Sequence, residues 1–440
     1  MNKILILICA FFGLAMCIVK PPEGALAVLL VLFVCAPILF MIRKFSDEKE
    51  FLTNIFVIAL LARLFFGLMI QLLEIKIFIA EDTRSYDMVG ERLAEIWQGL
   101  PVPNDYWTER ANSTSIAGWG MQYLVGAIYY VLGRSIIVAQ SFCAVFGAAT
   151  SPLIYSCAKK IYNNTRVAKV SALMVALFPS LIIWSSQILK DGLIIFLLVL
   201  AVTMVLQLQK KISYPAIGIL VSSLFCILTL RFYIFYMVAA AVAGSFIIGS
   251  TGSVKSIVRG FVALIIVGIA LAYLGVLQTA GTEYEKYGSL ERVQMSRLDL
   301  ARSDSGFGES LDVSTTEGAI AALPVGFAYL MFAPFPWQVA NFRQIITLPE
   351  IMIWWGSIPL LLSGLWYTIK NRLRNAISIL IFTLLLTIAY SVFQGNVGTA
   401  YRQRAQIQVF LFIFVAVGWT LWQERKENRK FTGRPAPNHS

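Results

Sequence analysis

Residues 51–73 read FLTNIFVIALLARLFFGLMIQLL, an apolar run interrupted by a single charge, Arg63. A helix needs roughly 20 such residues to cross the hydrocarbon core of a bilayer, so this stretch predicts a transmembrane span. The pattern recurs along the chain. Further candidate spans fall at 3–19, 24–42, 135–157, 167–184, 191–208, 214–230, 232–249, 257–277, 350–369, 376–392 and 405–422. The 440 residues are 58% hydrophobic and 14% charged, with a mean hydropathy of +0.75, whereas soluble domains carry roughly 25% charged residues. The expected fold class is therefore all-α: a polytopic helical membrane protein of about twelve transmembrane helices, with interfacial amphipathic helices on the outer face.

The formal net charge is +12. Its Lys and Arg sit in short clusters between apolar runs, which fits orientation in a membrane and excludes nucleic acid as a partner. The cysteines (Cys9, Cys17, Cys35, Cys143, Cys157 and Cys226) lie in or at the ends of apolar segments without CxxC spacing. Neither a disulfide framework nor a zinc site is indicated. The single histidine, His439, lies in the polar tail, so no metal site is expected and catalysis must rest on carboxylates, Lys, Arg, Tyr or hydroxyls. The N-terminal MNKILILICAFFGLAMC resembles a secretory signal, but Met16 spoils a lipoprotein cleavage site and no A-x-A pattern follows. A retained first helix is expected.

Two further apolar stretches, 118–133 and 319–337, decide the topology. If neither spans, the basic connections 43–49, 159–169, 209–211, 254–259 and 370–374 and the tail at 424–430 all fall on one side. Under the positive-inside rule that side is the cytoplasm, with both termini there. The polar segments 74–117 and 278–318 then face outward. The chain reads as one integral-membrane domain: an N-terminal hairpin at 3–42, a core at 51–422 with large outer loops at 74–134 and 278–349, and a cytoplasmic tail at 423–440.

The outer face collects the unusual polar residues. In FIAEDTRSYDMVGERLAEIW (78–97), Tyr86, Val89, Leu93 and Ile96 recur at helical spacing, which predicts an amphipathic interfacial helix with Asp82 as its N-cap. Asp82 and the adjacent Glu81 also qualify as a general base. Lys190 and Asp191 interrupt two spans, as a snorkelling pair or as a phosphate contact. Arg231 sits between two spans with almost no loop, where insertion costs favour an anion contact. In FQGNVGTAYRQRAQIQ (393–408), Arg402 and Arg404 run against the positive-inside trend on an expected outward loop. A guanidinium grips phosphate in a bidentate fork, and a salt bridge to the acidic loop competes with that reading. Tyr86, Asp191 and Tyr401 are added as substrate contacts. Arg63 needs a partner inside the bundle, a Glu or a backbone carbonyl. The segment 282–318 reads as an amphipathic helix and a flexible loop, either lid or spacer.

These elements resemble the GT-C superfamily of integral-membrane glycosyltransferases, which includes protein O-mannosyltransferases and lipid A aminoarabinose transferases. The resemblance lies in a first core span leading to the acidic pair Glu81-Asp82, then YYVLGRS, LIYSCAKKIY and ALFPSLIIWSSQILKDG. It is best over 51–250. It implies a polyprenyl-phosphate or polyprenyl-diphosphate sugar donor, an acidic base at Asp82 or Glu81, and phosphate-holding cations at Lys190, Arg231, Arg402 and Arg404. No cofactor is required, with a divalent cation left open. The implied partners are membrane lipid, the polyprenyl-linked sugar, a glycan, lipid or protein acceptor, and an envelope biosynthesis complex. A phosphate leaving group needs little acid assistance, so one base and several cations suffice. The rival readings are an O-antigen or exopolysaccharide polymerase or ligase, and a non-enzymatic lipid or polysaccharide flippase. The flippase reading expects charges lining a path through the bundle, where only Arg63 is deep.

Overall fold

A computed structural model describes residues 3–74, 81–113, 118–248, 254–339 and 341–432. Among the described residues the regular structure is helical, apart from one isolated bridge between Gly306 and Asn396. Apolar segments that must satisfy their backbone without water have little alternative to the helix.

The chain opens with α1 (Lys3–Val19), α2 (Glu23–Phe45) and α3 (Lys49–Leu72). Three short elements follow: α4 (Glu81–Trp97), α5 (Tyr106–Asn112) and α6 (Gly120–Leu132). The central run comprises α7 (Ile136–Tyr162), α8 (Thr165–Leu177), α9 (Pro179–Ser185), α10 (Lys190–Lys210), α11 (Tyr214–Leu230) and α12 (Phe232–Ile248). After it come α13 (Val254–Tyr273), α14 (Val276–Tyr287), α15 (Leu290–Ala301) and α16 (Thr316–Phe332). The last three, α17 (Phe342–Asn371), α18 (Leu373–Phe393) and α19 (Val397–Thr432), close the bundle.

The expected count of twelve spans is too high. Seven of these helices are long and apolar enough to cross a membrane, or nine if the bent pairs α8 with α9 and α13 with α14 each count as one. The pairs bend by 54° and 76°. The stretches expected as spans at 3–19, 214–230 and 232–249 form 17-residue helices, each about 25 Å long against a hydrocarbon core of about 30 Å. The chain is nonetheless a multi-pass membrane protein. The two marginal stretches form the short helices α6 and α16.

Local sequence explains the helix ends. Ser135, Asn164, Ser289, Thr315 and Asn341 each accept a backbone N–H at a helix start, because a short polar side chain replaces the missing intrahelical acceptor. Asn163 ends α7 in the left-handed region with φ 52°. Position in the bundle follows from which faces are apolar. From Val409 to Val417, α19 is buried on every face, as expected of a helix at the centre. By contrast α2, the arm of the N-terminal hairpin that packs on α7, keeps most of its apolar surface exposed to the surrounding medium.

The basic connections converge. Lys169 meets Glu48 at 3.0 Å, Lys160 reaches Gln207 at 3.1 Å, and Arg259 donates to the Lys210 carbonyl at 2.8 Å. Arg166 pairs with Glu427 at 3.3 Å, and Asn375 donates to the Ile161 carbonyl at 3.4 Å. All six basic segments named from the sequence therefore lie at one end of the bundle. The opposite ends of α10 and α19, and the start of α4 beyond α3, meet at the other.

Candidate functional site

At that second end the spans deliver a buried charged cluster. Asp191 is the second residue of α10 and is fully buried. Its Oδ2 accepts from Arg402 Nε at 2.5 Å, and its Oδ1 lies 3.2 Å from Arg231 Nη2. Arg402 Nη1 also donates to Asp82 Oδ2 at 2.8 Å. One guanidinium thus bridges two carboxylates from helices far apart in the chain. Asp82 differs from Asp191 in exposure: its side chain is 47% exposed. Lys190 lies within electrostatic reach of all four groups, and a Cβ at Gly118 would stand 3.6 Å from its Nζ.

Asp82 is not an N-cap. Helix α4 begins at Glu81, so Asp82 lies inside the first turn and its carboxylate engages Arg402 instead. The Glu81 side chain lies outside the described residues. Tyr86, one turn on, is buried beside the cluster. Burial first, and then the Asp82 carboxylate, raise its hydroxyl above the usual tyrosine range, so it stays neutral and remains a hydrogen-bond donor at physiological pH.

Among the described residues two nitrogens of the cluster have no partner: Arg231 Nη1 and Arg402 Nη2 are buried donors without an acceptor. Buried donors without acceptors are costly and uncommon, and here both are cationic. Among the described side chains the cluster holds two carboxylates against three basic groups, an excess of basic groups that suits an anion.

Arg402 and Arg404 do not act together. The expected loop is only 394–396, and both residues lie in the first turns of α19, where two positions apart means nearly opposite faces. Arg404 Nη1 donates to the Met331 and Ala333 carbonyls at 3.1 and 2.8 Å, holding the end of α16. The structure does not bring Arg404 into the charged cluster. Tyr401 also turns away, with its hydroxyl donating to Glu350 Oε2 at 2.7 Å. The glycine-bearing backbone at 394–397 takes a strand-like contact rather than forming an open nest. Phe307 N donates to the Gly395 carbonyl at 2.7 Å, Val397 N to the Ser305 carbonyl at 2.9 Å, and Asn396 bonds Ser303 and Ser305. The 303–307 segment is thus docked onto the turn that starts α19. Beneath it, Arg297 is buried and donates to the Gly308 carbonyl at 2.8 Å.

Arg63 finds carbonyls and a hydroxyl. Pro179 has no N–H to offer Val175, so the chain bends between α8 and α9 and leaves carbonyls free. Arg63 donates to Val175 at 3.4 Å, Ala176 at 3.1 Å and Ser185 Oγ at 2.8 Å. The glycines at 147 and 192 let α7 and α10 close on Ser185; a Cβ on either would fall 2.4 or 2.7 Å from Ser185 Cβ. This packing fixes the turn from which Lys190 and Asp191 emerge.

A second network went unread in the sequence. Buried Asp87 on α4 accepts from Tyr129 OH and from Arg134 Nη2, both at 2.7 Å, while Arg134 Nη1 reaches Glu91 at 2.6 Å. It ties α4 to α6 and to the start of α7, and so holds Asp82 in place. The hydrogen bond to Asp87 holds the Arg134 guanidinium above its ordinary range. Its only signal in the sequence was an arginine after a glycine in YYVLGRS. Glu350, an acid at the edge of an apolar run, was also passed over, although such residues in spans usually have a role.

Fold and site define a class: a multi-pass helical membrane protein with a half-sheltered charged cluster, rich in basic groups, at one end of its bundle. Within that class, residues 111–277 match the model of the family described as dolichyl-phosphate-mannose-protein mannosyltransferase. The matched segment covers less than half of the chain, and over that segment the chain is similar to this family. Among curated proteins no sequence match was found. Similar solved structures include ArnT from Cupriavidus metallidurans bound to undecaprenyl phosphate, at 13% identity and TM-score 0.49, covering 79% of this chain and 57% of that one. The Archaeoglobus fulgidus oligosaccharyltransferase is similar at 13% identity and TM-score 0.46, covering 84% of this chain and 50% of that one. The chain thus spans little more than half the length of these structural relatives.

Proposed function

We propose that the protein is a membrane glycosyltransferase that moves a sugar from a polyprenyl-phosphate or polyprenyl-diphosphate donor to an acceptor hydroxyl. The observation that carries this reading is the Asp82–Arg402–Asp191–Arg231 cluster with its two unpartnered guanidinium nitrogens. The family match supports it. Arg231 Nη1, Arg402 Nη2 and the Lys190 ammonium take the donor phosphate oxygens. Asp191 holds the two arginines in register. Asp82, half exposed, accepts the proton of the acceptor hydroxyl, with Glu81 as the neighbouring carboxylate that shares or replaces it. The acceptor oxygen forms the new bond to the anomeric carbon, and the old carbon–oxygen bond breaks with its electron pair going to the phosphate. The three cations stabilise that leaving group. Tyr86 donates to the phosphate or to the incoming hydroxyl. The reaction belongs to envelope polysaccharide or glycolipid synthesis at the outer face of the cytoplasmic membrane. In that setting an activated sugar arrives on a lipid, because nucleotide sugars stay inside.

Asp82→Asn in purified protein, assayed with polyprenyl-phosphate sugars, is expected to lower transfer by about 10²- to 10⁴-fold while donor binding persists. Glu81→Gln in parallel assigns the base: full activity in the Asp82 variant with loss in the Glu81 variant moves the role to Glu81. Full activity in both variants sinks the proposed chemistry.

A further inference from the structure

At the basic end of the bundle, opposite the charged cluster, helix ends bring lysines together without acids to match them. The chain holds no Asp or Glu from 110 to 190, nor from 192 to 282, so the connections 159–169, 209–211 and 254–259 carry only positive charge. Two carboxylates reach them from elsewhere, Glu48 onto Lys169 and Glu427 onto Arg166. Among the described residues Lys160, Lys210 and Lys211 enter no ion pair. The Lys160 ammonium donates to Gln207 Oε1 at 3.1 Å and to the Thr203 carbonyl at 3.4 Å. Lys210 Nζ donates to the Lys160 carbonyl at 3.3 Å, and Arg259 Nη1 to the Lys210 carbonyl at 2.8 Å, so basic side chains join the ends of α7, α10 and α13. Cations at helix C-termini are ordinary caps, and that part of the arrangement is structural. It engages one N–H of the Lys210 ammonium, which carries three. The Lys210 and Lys211 side chains are exposed.

The surface next to these lysines is apolar and hollow. Pro215, Gly218, Ser222 and Cys226 of α11, with Leu197 and Leu200 of α10, line an open-sided groove of about 440 Å³. A Cβ at Gly218 would meet nothing within 4 Å. The groove starts at Pro215, just past Lys211 in the chain, and ends at Cys226. At helical rise that is about 17 Å, close to the roughly 15 Å of hydrocarbon in one leaflet. Cations at the mouth and a hollow one leaflet deep fit an amphiphile with an anionic head and an acyl chain. A soluble polyanion would satisfy the lysines and leave the groove empty, and a zwitterionic lipid would bring a cation of its own to them. Basic pockets between spans at a membrane surface suit anionic headgroups. We propose that Lys210 and Lys211, with Lys160 and Arg259 beside them, hold the phosphate of an anionic phospholipid whose acyl chain lies in the α10–α11 groove. The site is at the other end of the bundle from the charged cluster and stands independently of the transferase reading. It braces α10, which carries Lys190 and Asp191 at its far end.

The test measures lipid binding to purified, delipidated protein by native mass spectrometry, with phosphatidylglycerol, phosphatidylethanolamine and polyprenyl phosphate offered in turn. Wild type is expected to hold phosphatidylglycerol over phosphatidylethanolamine by about tenfold or more, since each lysine beside an anionic headgroup contributes about fivefold. The double variant Lys210→Gln, Lys211→Gln removes two charges from exposed positions and is expected to bring that preference to about twofold or less. Gly218→Leu fills the groove from a position with open space around it. It is expected to weaken phosphatidylglycerol by about tenfold while the preference between headgroups persists. A wild type without headgroup preference, or a lysine variant that keeps it, refutes the site. Phosphatidylglycerol binding that is intact in Gly218→Leu refutes the placement of the acyl chain; if polyprenyl phosphate alone is released, the groove belongs to that longer chain and the proposal falls. Inorganic phosphate that displaces phosphatidylglycerol at equal concentration shows that the lysines take a free anion, and overturns the lipid assignment.

Discussion

At the scale of single residues, burial separates two carboxylates that share one arginine. Asp191 is fully buried between Arg231 and Arg402, whereas Asp82 is half open. Removing one partner of a buried charge set leaves uncompensated charge in a medium of low polarizability, and the expected loss of stability for Asp191→Ala is about 3–5 kcal/mol. An exposed pair contributes far less, so Asp82→Ala is expected to cost about 1 kcal/mol or less. Unfolding in detergent, followed by far-UV circular dichroism, measures the difference. Equal losses for the two variants contradict the assignment of Asp191 as the structural carboxylate and Asp82 as the reactive one. The same contrast separates Arg402 from Arg404. They stand two positions apart in YRQR, yet one joins the charged cluster and the other anchors the end of α16.

At the scale of elements, the site depends on helices that do not themselves carry its chemistry. Helix α4 owes its place to Asp87, Tyr129 and Arg134 rather than to a cap. Arg134→Ala is expected to lower the transfer rate by about 10²-fold through displacement of Asp82, with little change in donor-lipid affinity, because positioning errors near 1 Å have effects of that size. A kcat and KM series on the variant checks it; an unchanged kcat means α4 is held by other contacts. The break at Phe178-Pro179 has a comparable role. Sequence suggested one span over 167–184, but proline frees carbonyls that Arg63 then receives, and the chain bends toward the Lys190 turn. The amphipathic pattern of 81–97 was legible because it is local. What held the helix was not, because Asp87 and Arg134 are far apart in the chain.

At the scale of the whole molecule, charge sorts to the two ends of the bundle. The six basic connections meet at one end and the charged cluster lies at the other. We propose the orientation that the positive-inside rule gives, with the first in the cytoplasm and the second outside. In a variant lacking the native cysteines, a cysteine at Glu309 in the docked outer segment is expected to react with a membrane-impermeant maleimide in intact cells. A cysteine at Lys211 is expected to react only after permeabilisation. Labelling of both from the same side overturns the orientation. The number of spans changed from twelve to between seven and nine, since composition reports hydrophobic stretches and cannot show where a helix stops short or bends.

The sequence by itself determined that the chain is a bundle of membrane helices, which of its connections are basic, and that Asp82, Lys190, Asp191, Arg231 and Arg402 were out of place in such a chain. These conclusions rest on run length, local periodicity and the cost of charge in an apolar medium, all of which act over a few residues. Only the tertiary structure decided that Arg402 meets Asp82 across 320 positions, that Arg404 and Tyr401 face another way, and that Glu350 joins them. Helix rotation turns successive side chains by about 100°, so direction depends on how each helix docks, and docking is settled by packing against partners distant in the chain.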